Sequence, residues 1–187
     1  MFNFSSLQAA SHQAPNPAGV RRLYLVAARI IIAPWPTPAD IVEGQITTLP
    51  PLVPGSDWAV YECPDGTVEV TSEKQGAPGY HSYRHNVELL FAGMLPLLSA
   101  ELTKHLNAGA VLVAEMQDEV YAVLGTSYNP LYLKSTFKSG KKGNDKRGYT
   151  IKGEQDGIPW DLLPLSPAMT PPAAAEFSND FSEDFTV

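Results

Sequence analysis

Residues 111–153 read VLVAEMQDEVYAVLGTSYNPLYLKSTFKSGKKGNDKRGYTIKG, and this stretch decides the fold. Its apolar, β-branched and aromatic segments predict four consecutive strands, at residues 110–116, 120–124, 131–138 and 149–152. In the third segment apolar and polar side chains alternate, which is typical of a strand with one buried face. A hydrophilic loop, residues 139–147, precedes the last strand, so we predict a hairpin with a charged tip.

Charge is concentrated in the same stretch. Seven of the 13 Lys and Arg residues lie between positions 134 and 152, whereas residues 153–187 carry seven acidic residues and no Lys or Arg. The formal net charge of the chain is −7. This acidity argues against a surface that coats nucleic acid, because such domains are usually basic. The loop at 139–147 is either a solvated hairpin tip or an electrostatic contact with an acidic neighbour or with phosphates.

Further segments extend the predicted sheet. Residues 22–32 are rich in large and β-branched apolar residues and predict the first strand. Residues 58–63 and 67–72 predict a hairpin, because the intervening Pro64-Asp65-Gly66 has the residues of a tight turn. Residues 83–91 alternate in polarity and predict a half-buried strand.

One helix is predicted, at residues 95–107. Pro96 suits a first helical turn, and leucines recur at three- and four-residue spacing along one face. Asn107-Ala108-Gly109 supplies a stop, since glycine adopts the left-handed conformation at helix ends. The sequence therefore predicts a mainly β fold, a β-sandwich or barrel with one flanking α-helix packed on the sheet.

The domain organisation follows from the distribution of proline and polar residues. We predict a folded domain at residues 20–158, an N-terminal arm at 1–19 and a Pro-rich, acidic C-terminal tail at 159–187. Within the domain, residues 34–57 form a long Pro-rich loop with one short strand at 44–48. Loops of this length are usually functional or ordered by a partner.

No catalytic, cofactor-binding or metal-binding pattern is found, and we predict that the protein is not an enzyme. His81 and His85 would lie about 13 Å apart on a strand, too far apart to share one zinc ion. Cys63 is the only cysteine, so we expect a buried strand thiol and no intrachain disulfide. Asp118 and Glu119 are ordinary turn residues.

Neither a membrane anchor nor a secretion signal is recognised. The apolar run at residues 23–32 is interrupted by Arg29 and is about half of what a helix needs to span a bilayer. The first residues lack the basic and apolar regions of a signal peptide. We therefore expect a soluble protein that is cytoplasmic when it is made.

A short aromatic and acidic pattern repeats near the end of the sequence. Phe177-Ser178-Asn179-Asp180 is followed by Phe181-Ser182-Glu183-Asp184 and then by Phe185. Such a segment is either a solubilising end or a docking peptide with aromatic anchors.

Several of these segments together resemble a known family. They are GVRRLYLVAARI at residues 19–30, GTVEVTSEKQG at 66–76 and GKKGNDKRGYTIKGEQDG at 140–157. With a single helix among the strands, they are similar to virion proteins of tailed bacteriophages, and above all to small tail tube proteins. The most specific part is the G-x-x-G-x-D-x-x-G-Y run at 140–149, where glycines flank a charged loop before a strand.

This resemblance implies a structural virion protein that self-assembles into hexameric rings, which stack into a tail tube for DNA passage. It implies other copies of the chain and other tail proteins as partners, no membrane partner, and a place in the virion tail after assembly in the host cytoplasm. DNA would pass without specific binding, along a lumen with net negative charge. We expect contacts between subunits at Lys134, Lys138, Lys141, Lys142, Lys146, Arg147, Phe177, Asp180, Phe181, Asp184 and Phe185.

Two other functions fit part of the pattern. A single-stranded DNA-binding protein pairs a small β-barrel with an acidic, Phe-containing C-terminal segment that recruits partners. In that case the basic residues from Lys134 to Arg147 would follow the phosphates, and Tyr132 and Tyr149 would stack on bases. Another virion ring protein, such as a tail terminator or connector, would share the same mode of assembly.

Overall fold

A computed structural model of the protein describes residues 17–172. These residues are 47% strand and 10% helix, so the prediction of a mainly β fold with one α-helix is confirmed. The helix α1 is Pro96–Lys104. The strands are β1 Val20–Ala27, β2 Ile41–Val42, β3 Gln45–Ile46, β4 Ala59–Glu62, β5 Val68–Gln75, β6 Ser82–Ala92, β7 Gly109–Met116, β8 Tyr121–Leu124, β9 Leu131–Lys138, β10 Gly148–Ile158 and β11 Leu163–Pro164.

Nine of the strands form one antiparallel sheet that branches at β7. One edge of β7 pairs with β1, which in turn pairs with β4. The other edge pairs with β9 at Gly109 and Ala110, and with β8 farther along. The branch divides the sheet into two layers, which we call the β7 layer (β4-β1-β7-β8-β11) and the four-stranded layer (β9-β10-β6-β5). The result is sandwich-like, and no closed barrel forms within residues 17–172.

β7 lies at the centre because its side chains are apolar on both faces. Leu112 and Ala114 face the core between the two layers, whereas Val111 and Val113 face the opposite side. All four are fully buried. Full burial of a side chain such as valine or leucine contributes about 1.5–3 kcal/mol, so both cores depend on this strand.

In β6 apolar and polar side chains alternate, as the sequence predicts, and the apolar ones form part of the core between the layers. Val87 and Leu89 point inward and are buried, whereas Asn86 and Glu88 lie on the other face. Other strands contribute inward side chains in the same way. They are Leu23, Leu25, Leu124, Leu131, Leu133 and Ile151.

The Pro-rich segment at residues 34–57 covers the outer face of the β7 layer. Trp35 is only 1% exposed, and its Nε1–H donates to the backbone carbonyl and the hydroxyl of Thr48. Ile46, in the strand β3 that pairs with β2, is fully buried against the same face. Packing against the chain's own sheet therefore orders this long segment.

Two predicted elements of the N-terminal half are wrong in detail. β4 and β5 do not form a hairpin, because β4 pairs with β1 and β5 pairs with β6. The turn at residues 64–67 forms, but it carries the chain from one layer to the other. The first strand ends at Ala27 rather than at residue 32, because a 3-10 turn at Ala28–Ile30 redirects the chain.

The helix is shorter than predicted and buries less of its apolar face. It spans Pro96–Lys104 instead of residues 95–107, and no side chain in it is fully buried. Leu102 packs partly against the core, but Leu97 is 81% exposed and Leu106, beyond the helix, is 75% exposed. α1 therefore lies at the margin of the sandwich rather than across a sheet face.

The last long strand is more extensive than predicted. β10 covers Gly148–Ile158 instead of residues 149–152, and it lies between β9 and β6. The folded part also continues past residue 158, since β11 pairs with β8 and Leu165 is buried.

His85 is buried in the core, and both of its ring nitrogens are hydrogen bonded. The backbone N–H of Gly125 donates to Nδ1 at 3.2 Å, and Nε2 lies 3.2 Å from the carbonyl oxygen of Trp160. This pattern requires a neutral ring with its proton on Nε2, because a protonated Nδ1 could not accept. Burial lowers the pKa of His85 accordingly.

We expect the free energy of unfolding to fall as the pH drops below about 6.5, the usual pKa of histidine. In that range the His85 side chain is protonated in the unfolded chain but stays neutral in the folded protein, so a lower pH favours unfolding. Urea titrations between about pH 5 and 8 measure the slope. His85→Gln keeps a donor and an acceptor but does not titrate, so it should flatten the slope; a slope equal to that of the unmodified protein would contradict this explanation.

Candidate assembly interface

A row of four charged residues crosses the outer, polar face of the four-stranded layer. Glu69 on β5 lies opposite Glu88 on β6. Glu88 lies opposite Lys152 on β10, and Lys152 lies opposite Lys134 on β9. This charge row therefore reads acid, acid, base, base from one side of the layer to the other.

Only the two central residues of the charge row, Glu88 and Lys152, form an ion pair with each other. Lys152 Nζ lies 2.6 Å from a carboxylate oxygen of Glu88. Within residues 17–172 no ion pair involves Glu69 or Lys134, and each of them lies opposite a like charge on the one strand that pairs with it at that position. Like charges directly opposite each other destabilise a sheet. An opposite charge beside each end of the row would offset that cost.

The two ends of the charge row lie on strands with unpaired edges. No strand within the described part of the chain pairs with β5 on the side away from β6, or with β9 beyond Tyr132 on the side away from β10. We call these the open edges. Each belongs to a strand of eight residues, whereas β4 and β11, at the ends of the β7 layer, have four and two. Long open edges are the usual template for pairing with another chain.

The strand directions allow the two open edges to pair with each other in a second copy. The layer contains four antiparallel strands, so β5 and β9 run in opposite directions. A copy rotated about an axis along the strands would bring its β9 beside β5 in the antiparallel sense. A register that continues the charge row would place Lys134 of one copy beside Glu69 of the next.

Space for an added strand lies beside β9. A groove of about 660 Å³ separates β9 from α1, lined in part by Leu102, Leu106, Leu133 and Tyr149. Neighbouring strands lie about 4.8 Å apart, so a strand paired with β9 would enter this groove and contact its apolar lining.

The basic loop, residues 139–147, joins β9 to β10 and has a defined internal structure. The backbone N–H groups of Lys141 and Lys142 both donate to one carboxylate oxygen of Asp145, at 2.7 and 2.9 Å. These hydrogen bonds lower the pKa of Asp145. Gly140 has a φ of +75° and leaves no room for a Cβ atom, which would lie 2.9 Å from that of Asp145.

The predicted contact residues fall into separate groups. Lys134 belongs to the charge row, and Lys138 ends β9 opposite Gly148. Four others are exposed in the basic loop; they are Lys141, Lys142, Lys146 and Arg147. The remaining five, Phe177, Asp180, Phe181, Asp184 and Phe185, lie outside the described residues.

A cluster of three polar side chains connects α1 and the residue after it to β4. The Tyr61 hydroxyl donates to Glu101 at 3.1 Å and lies 2.7 Å from Nε2 of His105. Burial and the nearby Glu101 carboxylate raise the pKa of Tyr61, and burial lowers that of His105. These contacts explain how the helix is held although its apolar face is largely exposed.

The described residues show where the candidate reactive side chains lie. No three His, Cys, Asp or Glu side chains in residues 17–172 lie close enough together to hold a metal ion. Cys63 is buried, as expected, and burial raises the pKa of its thiol to about 11, so it is a poor nucleophile. His81 is exposed in the loop before β6, whereas His85 lies inside the core.

Comparison with known proteins gives no family assignment. No protein-family model, no curated protein and no solved structure matches the chain. In the described part of the chain, no helix has the length and apolar character needed to cross a membrane.

We expect Asp145→Ala to loosen the basic loop without unfolding the sheet. The substitution removes the acceptor that holds the N–H groups of Lys141 and Lys142, so both should exchange with solvent faster. Hydrogen exchange followed by NMR measures this. Asp118→Ala, which removes one longer turn contact to Val120, is the matched control and should leave the loop unchanged. Unaltered exchange at both lysines in the Asp145 variant would contradict the proposed loop structure.

Proposed function

We propose that the protein is a structural, non-catalytic virion component whose copies join through their open edges into rings, and that these rings stack into a phage tail tube. One observation carries the proposal: the charge row runs from an acidic open edge to a basic open edge. The resemblance to small tail tube proteins suggests the virion tail as the place of this assembly.

The charges favour pairing between unlike edges over pairing between like edges. Two β9 edges would bring Lys134 and Lys138 of both copies together, and two β5 edges would do the same for Glu69 and Glu73. Each like-edge contact is therefore repulsive, and the contact between β5 and β9 is attractive. Such a head-to-tail contact closes into a ring when the rotation between copies divides a full turn.

A ring of this kind would enclose a channel. Six copies, the number implied by the resemblance, would contribute four strands each and form a barrel of 24 strands. Barrels of about 16–18 strands already leave an aqueous channel, so the proposed barrel would be wider. The inner face of each four-stranded layer packs on its β7 layer, so the outer, polar face would line the channel.

The charge of that lining fits the passage of DNA without binding. On the outer face, acidic side chains outnumber basic ones by one, among threonine and asparagine residues. The acids are Glu69, Glu73, Glu88, Glu154 and Asp156, and the bases are Arg84, Lys134, Lys138 and Lys152. A nearly balanced surface neither holds nor strongly repels phosphates, and its small acidic excess supports the expectation of a negative lumen.

Single-stranded DNA binding is less well supported. Tyr132 lies on the outer face of the four-stranded layer, 49% exposed. Tyr149 lies on the opposite face, against Phe137 and within 3.2 Å of the Ser99 hydroxyl. The two rings therefore cannot form one stacking surface, which sequence-tolerant binding of single strands uses. A tail terminator or connector would use the same edges but form single rings rather than tubes.

Exchanging the charges at the ends of the row tests the proposed edge contact. Lys134→Glu and Glu69→Lys should each raise the protein concentration needed for half-maximal assembly about tenfold, because like charges would meet at every junction. The combined variant should assemble nearly as well as the unmodified protein, since it restores opposite charges. Sedimentation velocity and negative-stain microscopy measure assembly.

The fold itself should tolerate these changes. Each substitution places an opposite charge beside Lys152 or Glu88, which removes a repulsion within the chain. Arg29→Glu and Asp57→Lys change the net charge equally at exposed positions on neither β5 nor β9 and should assemble normally. Single variants that assemble like the unmodified protein would exclude the charge row from the interface. A monomer that binds single-stranded DNA with a steep salt dependence would overturn the proposed function.

A further inference from the structure

An apolar patch lies at one end of the four-stranded layer. Met94, Leu95 and Leu97 follow β6 and begin α1, and they are 55%, 61% and 81% exposed. Three large apolar side chains so close together and so exposed are unusual on a surface that only meets water.

The basic loop borders this apolar patch. The backbone N–H of Gly93 donates to the carbonyl oxygen of Arg147 at 3.0 Å, which joins the two segments directly. The loop carries four exposed bases, and the carboxylate of its one acid, Asp145, is engaged by the loop's own backbone. A ligand for this end of the layer must therefore combine apolar groups with negative charge.

We propose that residues 176–185 of a neighbouring copy dock on the apolar patch and the basic loop. This segment contains Phe177, Phe181 and Phe185 at every fourth position, together with four acidic residues and no Lys or Arg. Its aromatic rings match the exposed Met and Leu side chains, and its carboxylates match the loop bases. The inference rests on the proposed function in one respect, because the neighbouring copy belongs to the next ring.

The path of the chain favours docking on a neighbour. After β11, Leu165 and Ser166 hydrogen bond to Tyr121 and Ile46, on the outer face of the β7 layer. The apolar patch lies at the end of the other layer, so the described chain leaves from the far side of the sandwich. An extended chain from Pro172 to Phe185 spans at most about 45 Å. The 11 residues of β10 are about 36 Å long, so the segment is long enough to reach a copy stacked along the strand axis.

Photo-crosslinking in the full-length protein tests the docking. Phe181 is replaced by benzoylphenylalanine, light and ¹⁵N-labelled chains are mixed, and the cross-linked peptides are identified by mass spectrometry after irradiation. We expect cross-links to residues 94–97 or 139–147 that join a light chain to a heavy one. Cross-links only within one chain, cross-links to other surfaces, or none above the level of free protein would overturn the proposal.

Matched variants separate docking from ring formation. Leu97→Asn, and neutralisation of Lys141, Lys142, Lys146 and Arg147 to glutamine, should each lower the yield of these cross-links several-fold. Ile32→Asn changes an apolar side chain that is 63% exposed and lies outside the patch, the groove and both open edges, so it should leave the yield unchanged. Microscopy of the same samples scores rings independently: rings without the cross-links overturn only the docking, whereas cross-linked pairs without rings contradict the proposed function.

Discussion

The branch at β7 is the constraint on which the rest of the structure depends. β9 pairs with β7 only at Ala110 and Gly109, and then diverges from it. The crossing is possible because Gly109 has no side chain; a Cβ atom there would lie 2.4 Å from the ring of Pro130. Since β9 leaves β7 so early, the rest of β9 has an open edge and the four-stranded layer can fold over the β7 layer. The core between the layers and the open edge are two results of one divergence.

The distribution of buried surface then determines which surfaces a partner could reach. Both faces of the β7 layer are covered, one by the four-stranded layer and the other by the Pro-rich segment at residues 34–57. The outer face and the edges of the four-stranded layer remain open to partners. Because its strands alternate in polarity, that face is charged, and edge pairing can be selective without an apolar interface.

The local sequence pattern predicted the strands well, and their pairing poorly. Alternation correctly placed Asn86 and Glu88 on the polar face of β6, because it depends only on neighbouring residues. The charge row could not be predicted, since Glu69, Glu88, Lys152 and Lys134 become neighbours only through the registers of three strand pairs. The turn at Pro64–Gly66 wrongly suggested a hairpin. Turn formation depends on local residues, whereas the pairing of the flanking strands is decided by their burial in two different layers. Leucine spacing likewise predicted a helix but not how much of it the fold would cover.

The two proposed contacts act in different directions, and this gives assembly an order. The charge row runs across the strands, so the contact between open edges extends the sheet sideways. The basic loop and the apolar patch lie at the ends of the strands, so docking there extends the assembly along the strand axis. A single docked segment would bind weakly, because ordering its residues costs conformational entropy. A closed ring presents several docking sites at once, which raises the effective concentration for the remaining segments. In the proposed assembly, rings would therefore form first and stack afterwards.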